Sequence, residues 1–212
     1  MADNYLEKKM ESLREGRPRI VRNNPSLDTL LKRNRSHRAF DRTVPLSEED
    51  LKELLGVVPL CASGMNAQTL RFRLVPSGEA PLLHPFIHLG GALPEEKLPH
   101  AGEAPQAYIA VTSTRPENRV TDIDLGIALQ SILLKAVERG LNGVIILNFE
   151  AAKVQEALGL ESSPLALLAL GKGLDKIFLL PVHEGASLSY YRKEGVHFVP
   201  KLTVDDLILR NK

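Results

Sequence analysis

The sequence predicts an α+β protein, with an antiparallel or mixed central sheet flanked by helices. Three observations predict it. Short alternating or fully apolar runs at residues 71–75, 107–113 and 165–170 have the length and pattern of strands, and they are interspersed with amphipathic helical runs. Residues 124–134, Asp-Leu-Gly-Ile-Ala-Leu-Gln-Ser-Ile-Leu-Leu, are apolar nearly all round, the mark of a buried central helix. The terminal segments are long and irregular, which suits extensions that embrace a partner subunit. The expected division is an N-terminal arm over residues 1–25 and one domain over residues 26–212.

The elements follow in order. Gly16-Arg17-Pro18-Arg19 breaks the charged arm. Ser26 caps a helix carrying Leu27, Leu30 and Leu31 on one face. The capping box Ser47-Glu48-Glu49-Asp50 starts the next helix, and Pro59 marks its end. Residues 61–68 read as a structured polar loop. Residues 76–105 are rich in Pro and Gly, with a short possible helix in the middle. Residues 143–147 are β-rich, and residues 150–158 form a helix closed by Gly159. From Lys172 onward the tail reads as extended and irregular, with a final helix opened by Thr203.

Composition excludes several function classes. The 212 residues carry a formal net charge of +1, so neither a nucleic acid nor a membrane surface is an expected partner. The single cysteine, Cys61, cannot form an internal disulfide and fits a reducing cytoplasm. No signal peptide is expected at Met1-Ala2-Asp3-Asn4-Tyr5, and no apolar run has the length of a bilayer span.

Against this balance, Lys32-Arg33-Asn34-Arg35-Ser36-His37-Arg38 is a dense cationic cluster. It is either a solvated turn or an anion site. The Rossmann and P-loop glycine patterns are absent, so a phosphate would have to be held by side chains, with Arg forks and the Ser36 hydroxyl as donors. Cys61 has no histidine or acid at an informative distance and reads as a packing residue. His84 and His88 have helical metal-ligand spacing but no third ligand, and no metal is expected. With no acid–base pair, triad or metal set, any catalysis falls to a cofactor.

Five segments resemble the nitroreductase-like flavoproteins, in the family's order. Residues 34–40 (Asn-Arg-Ser-His-Arg-Ala-Phe) resemble its R-R-S-x-R-x-F opening, and residues 62–72 its P-S-x-x-N-x-Q-P-[WL]-x-F loop and strand. Residues 124–130 are similar to its D-x-G-x-A-x-Q helix, residues 140–149 to its G-L-G-x-x-x-I-G-x-F segment, and residues 197–201 to the H-x-V-P-K-R tail of one branch. The resemblance implies a nitroreductase-like fold and a homodimer with FMN bound at the subunit interface. It also implies hydride transfer from NADH or NADPH to a small-molecule acceptor such as a nitroaromatic or a quinone, in a ping-pong cycle.

By position, the resemblance implies that Arg35, Ser36, Arg38 and Lys201 hold the FMN phosphate and ribityl chain. Ser63, Gly64 and Asn66 would lie against the isoalloxazine, some of them across the dimer interface, and Leu147 and Asn148 would present backbone N–H groups near flavin N5. The chain departs from the pattern at Asn34, where the first Arg is expected and Arg33 is the neighbouring cation, and at Leu202, Thr69, Leu70 and Leu147. Asn34, Leu147 and Leu202 motivate a second reading, a non-catalytic FMN-binding scaffold of the same fold.

Overall fold

The computed structural model describes residues 25–91, 93 and 95–209. The predicted arm lies almost wholly outside the described residues. Helix α1 (Leu27–Arg33) starts where the Ser26 hydroxyl accepts the Thr29 N–H, and it stops at Asn34, whose backbone is extended. Helix α2 (Glu48–Leu55) carries the complete capping box of Ser47 and Asp50, so two N-terminal backbone donors find partners at once. It ends at Gly56, and Pro59 lies beyond it in a single 3₁₀ turn, Val58–Leu60. The short helix expected within residues 76–105 is instead two 3₁₀ turns, Ala80–Leu82 and His84–Phe86, each with proline in its first positions.

Strands β1 (Leu70–Val75), β2 (Ala107–Ser113), β3 (Asn142–Ile146) and β4 (Ala166–Gly171) form an antiparallel sheet in the order β1-β2-β4-β3. Successive side chains alternate between its faces, so β2 and β4 serve two cores. Ile109, Val111, Leu168 and Leu170 join Leu51 and Leu54 of α2 on one side. Tyr108, Ala110, Leu167 and Ala169 join Phe40, Val75 and Val154 on the other, where Val154 belongs to α4 (Ala151–Leu158). Each fully buried aliphatic side chain contributes about 1.5–3 kcal/mol, so β4, buried at every position, is the axis of the domain.

Helix α3 (Arg119–Glu138) opens at Asn118, whose side-chain oxygen accepts the N–H groups of Val120 and Thr121. Its inner face, including Leu129, Ile132 and Ala136, packs into the first core. The expectation of an all-round buried helix holds for one face only. Val120, Ile123 and Ile127 stay exposed, with Ile123 54% accessible.

The tail corrects the sequence reading. Residues after Lys172 are extended as expected but only partly irregular: β5 (Lys176–Val182), β6 (Tyr191–Lys193) and β7 (Val196–Leu202) form a second sheet in the order β5-β7-β6, with residues 183–190 irregular between β5 and β6. β5 runs parallel to β7 and β6 antiparallel to it. The expected terminal helix is α5 (Val204–Leu207), just past Thr203.

Candidate functional site

Three contacts dock the cationic loop, two on β3 and one on the segment before β2. The His37 N–H donates to the Gly143 carbonyl at 3.1 Å, Ser36 bridges Gly143 in parallel, and the Phe40 N–H donates to the Glu103 carbonyl at 3.0 Å. Gly143 itself is closely packed between β4 and α3. A Cβ there would sit 2.4 Å from the Ala169 carbonyl oxygen and 2.7 Å from Leu133 Cδ2.

The loop and the tail together enclose a cavity of about 380 Å³. Arg35, Ser36 and Arg38 line one wall, and His197, Val199 and Lys201 line the other. The three tail residues alternate along β7, which puts all of them on one strand face. Gln130 and Leu133 of α3 form the floor with Gly143 and Ile145. Asn34 is buried here, and its side-chain amide donates to the Gln130 side-chain oxygen, Oε1, at 3.3 Å.

The donor set is cationic and partly unspent. Arg35 uses one terminal nitrogen on the Leu31 carbonyl at 2.7 Å, while its Nε is buried without a partner. Burial lowers the Arg35 pKa from its ordinary value, as expected for a cation enclosed without a counter-ion. Arg38 donates to the Ser36 carbonyl at 3.1 Å and to the Tyr190 hydroxyl at 3.4 Å, and its guanidinium lies 5.1 Å from the Tyr190 ring centre. Tyr190 in turn stacks on His197 at 5.0 Å, and the Nδ1 of His197 is buried without a partner.

Behind the loop, Asp175 is the hub. Its carboxylate accepts the backbone N–H groups of Arg38 at 2.6 Å and Ala39 at 3.1 Å, and the Arg192 guanidinium at 2.6 Å. Arg192 also pairs with Glu96 at 3.0 Å. His37 lies 3.8 Å from Asp175, too far for a hydrogen bond. Burial pushes the His37 pKa down, and Arg38 and His197 push the same way against the opposing pull of Asp175.

The remaining expected residues lie elsewhere. Arg33 lines a separate cavity of about 370 Å³ with Lys32 and His37, sharing Arg35 with the first. Leu147 and Asn148 line a cleft of about 280 Å³ that shares Arg38 and Ile145 with the first cavity. Leu147 is 71% exposed, and the Asn148 carbonyl accepts the His88 N–H at 3.1 Å.

Ser63 and Asn66 line a fourth space, about 260 Å³, with Asp124 and Ala128 of α3. The buried Asp124 carboxylate accepts the Ser63 hydroxyl at 2.7 Å and the Gly64 N–H at 2.9 Å. Gly64 is pressed against α3 so closely that a Cβ would fall 2.3 Å from Val120 Cγ1. Met65, Asn66 and Gln68 adopt φ of 52°, 52° and 46°, a left-handed cluster of non-glycine residues that stores backbone strain. Met65 is 89% exposed at its tip. Asp124 and Gln130 lie six residues apart on α3, about 9 Å along its axis. Within one chain, the loop at residues 63–68 and the cationic cavity are therefore separate.

Cys61 is half-buried and its thiol reaches the Val57 carbonyl at 3.5 Å, a packing contact. The His84 Nε2 lies 3.3 Å from the Pro105 carbonyl, and its ring meets Tyr108 edge-on. Among the described residues no group of histidines, cysteines and acids could hold a metal ion. None of the described helices is long and apolar enough to cross a membrane.

Known proteins share this fold. A nitroreductase family protein from Streptococcus pneumoniae superposes with a TM-score of 0.62 at 18% identity, covering 88% of this chain and 100% of its own. An FMN- and NADPH-dependent nitroreductase from Sphigopyxis sp. strain HMH gives 0.61 at 19% identity, covering 89% and 100%. An FMN-dependent nitroreductase from Clostridium difficile R20291 gives 0.54 at 23% identity, covering 69% and 87%. No curated protein matches the chain. The family model described as "Nitroreductase family" matches residues 31–172. The match runs from the cationic loop through the central sheet, and the chain belongs to the nitroreductase family.

Proposed function

We propose that the protein is an FMN-dependent oxidoreductase that takes hydride from NADH or NADPH and reduces a small acceptor of the nitroaromatic or quinone class. The observation that carries this reading is the cationic cavity, where Arg35, Ser36 and Arg38 face His197 and Lys201. The residues present fit a phosphate monoester. They offer forked and hydroxyl donors, and the unpartnered Arg35 Nε and His197 Nδ1 leave enclosed capacity for an anion. Relatives described as FMN-dependent support the choice of flavin.

FMN, when bound, supplies two-electron chemistry, accepting a hydride and passing it on. The chain's own part is to bind and orient. Arg35, Ser36, Arg38 and Lys201 neutralise the phosphate and fix one end of the cofactor. The Leu147–Asn148 edge, joined to that cavity through Ile145 and Arg38, offers backbone groups to the ring portion. Donor and acceptor use one space in turn, which gives a ping-pong cycle.

A second copy of the chain completes the site. The strained loop carrying Ser63 and Asn66 is separate from the cationic cavity in its own chain, and Met65, Val120, Ile123 and Ile127 leave apolar surface uncovered around it. In a homodimer this surface is buried and the loop of one subunit reaches the cofactor of the other.

The test is a visible spectrum of the purified protein before and after FMN, then under argon with each nicotinamide. Retained yellow flavin that NADH or NADPH bleaches is the expected result. Protein that takes up no flavin would overturn the reading. Flavin that binds but is reduced no faster than free FMN would favour the scaffold reading, which Asn34 motivates because it spends its amide on Gln130 where a cation is expected.

A further inference from the structure

His197 lines the cavity wall and keeps one ring nitrogen unpartnered, and its setting says more. The ring is 3% exposed, it lines the cationic cavity, and its Nδ1 has no partner. Its neighbours disfavour a charge on the ring. Arg192 of β6 stands directly across from it in the strand register, and Arg38 reaches it through Tyr190. Arg35 and Lys201 line the same cavity.

The two nearby carboxylates are already committed. Asp175 accepts two backbone N–H groups and Arg192, and Glu96 pairs with the other end of Arg192. Burial, Arg38 and Arg192 lower the His197 pKa against the weaker pull of Asp175 and Glu96. Burial likewise lowers the pKa of His37, the other buried imidazole nearby. A dianion entering this cavity would reverse the balance at His197, because it would set negative charge beside the one cavity residue that can still gain a proton.

We propose that His197 is a phosphate-sensing ligand of the cofactor cavity, neutral when no anion is present and protonated when the flavin phosphate enters. The proposal rests on the FMN reading above. The proton comes from the buffer, is taken on the imidazole, and returns when the cofactor leaves. The phosphate cannot supply the uptake itself. Its second pKa lies at about 6, and a cationic site drives that proton off rather than on. FMN is therefore held by one more hydrogen bond than the three cations and Ser36 provide, and riboflavin, which lacks the phosphate, gains nothing from His197.

The test is calorimetric titration of the flavin-free full chain with FMN at neutral pH, in two buffers of different ionisation enthalpy, with riboflavin as the phosphate-free probe. Uptake of on the order of half a proton per FMN, and none per riboflavin, is expected. His197→Gln should abolish the uptake and weaken FMN by about tenfold while leaving riboflavin affinity unchanged, whereas His37→Gln should keep the uptake. FMN binding without proton uptake, or uptake that survives His197→Gln, overturns this proposal alone. Failure to bind FMN at all overturns the cofactor reading and the proposal with it. Where the variant does not fold, wild-type FMN binding without proton uptake still overturns the proposal.

Discussion

The backbone N–H of Arg38 donates to the Asp175 carboxylate at 2.6 Å, across 137 residues of sequence. With the Ala39 N–H and the Arg192 guanidinium on the same carboxylate, this joins the cationic loop to both strands of the tail that flank β7. Asp175 thus sets where the Arg38 side chain projects without lining the 380 Å³ cavity itself.

Asp175→Ala should therefore destabilise the fold. It leaves two backbone donors and one arm of Arg192 unpaired in a site where the carboxylate is only 5% exposed. Removing one partner of a buried pair costs about 3 kcal/mol or more. For a domain of this size that lowers the melting temperature by on the order of 10 °C. A thermal melt by circular dichroism checks this, and an unchanged midpoint would mean the hub is dispensable.

Arg38→Ala has a different signature. The guanidinium touches the Ser36 carbonyl and Tyr190 but holds no buried acid, so the fold should survive. Losing a charge-assisted contact to phosphate costs about 1.5–3 kcal/mol, roughly tenfold to a hundredfold in FMN affinity. Flavin fluorescence titration measures it.

Gly143→Ala tests the close packing of β3, which carries the loop, against β4 and α3. Its Cβ would meet the Ala169 carbonyl at 2.4 Å, a backbone atom that cannot swing aside, so β3 and β4 must separate. Overpacking of this kind costs about 1–3 kcal/mol. Urea denaturation should show a lowered midpoint, accompanied by weaker FMN retention because the cavity floor moves.

The His37 ring gives a pH dependence whose sign can be worked out. Its folded pKa lies below the ordinary 6.5, with burial as the main cause. Below that ordinary value the unfolded chain binds more protons, so stability is intact above about pH 6.5 and falls as the pH drops toward the folded pKa. Melting temperatures measured from pH 7 to pH 5 should decline, and His37→Gln should flatten part of the decline.

Assembly is open to a direct check. Ile123 and Ile127 are 54% and 37% exposed on the outer face of α3. Changing both to Asp should convert a dimer, by size-exclusion chromatography with light scattering, into a monomer that loses its flavin. A wild-type monomer that retains FMN would exclude the two-subunit site.

Much of the fold was legible in local patterns. The Ser26 cap, the Ser47–Asp50 box and the runs that became β1, β2 and β4 are written in contiguous residues, and the structure places each of them within a residue or two of its expected bounds. The tail sheet was not. β6 is three residues long, and β5 and β7 each contain a proline, Pro181 or Pro200, and pair in parallel across the whole of β6. Such pairing leaves no short-range trace.

The cavity residues Arg35, Ser36, Arg38 and Lys201 could be nominated from motifs. Asp175 could not, because a single acid after Gly173-Leu174 carries no signal until the tail folds back. Tyr190 and His197 stood in view but gained meaning only from their stacking. Arg33 faces a different cavity because α1 ends there and the chain turns extended at Asn34.

The central claim is that the cavity between the cationic loop and β7 holds the phosphate of FMN. A crystal structure of the chain reconstituted with FMN tests it most directly. The account predicts phosphate oxygens within hydrogen-bond distance of Arg35, Ser36, Arg38 and Lys201. A flavin phosphate bound outside this cavity, or contacting none of these four side chains, would contradict it.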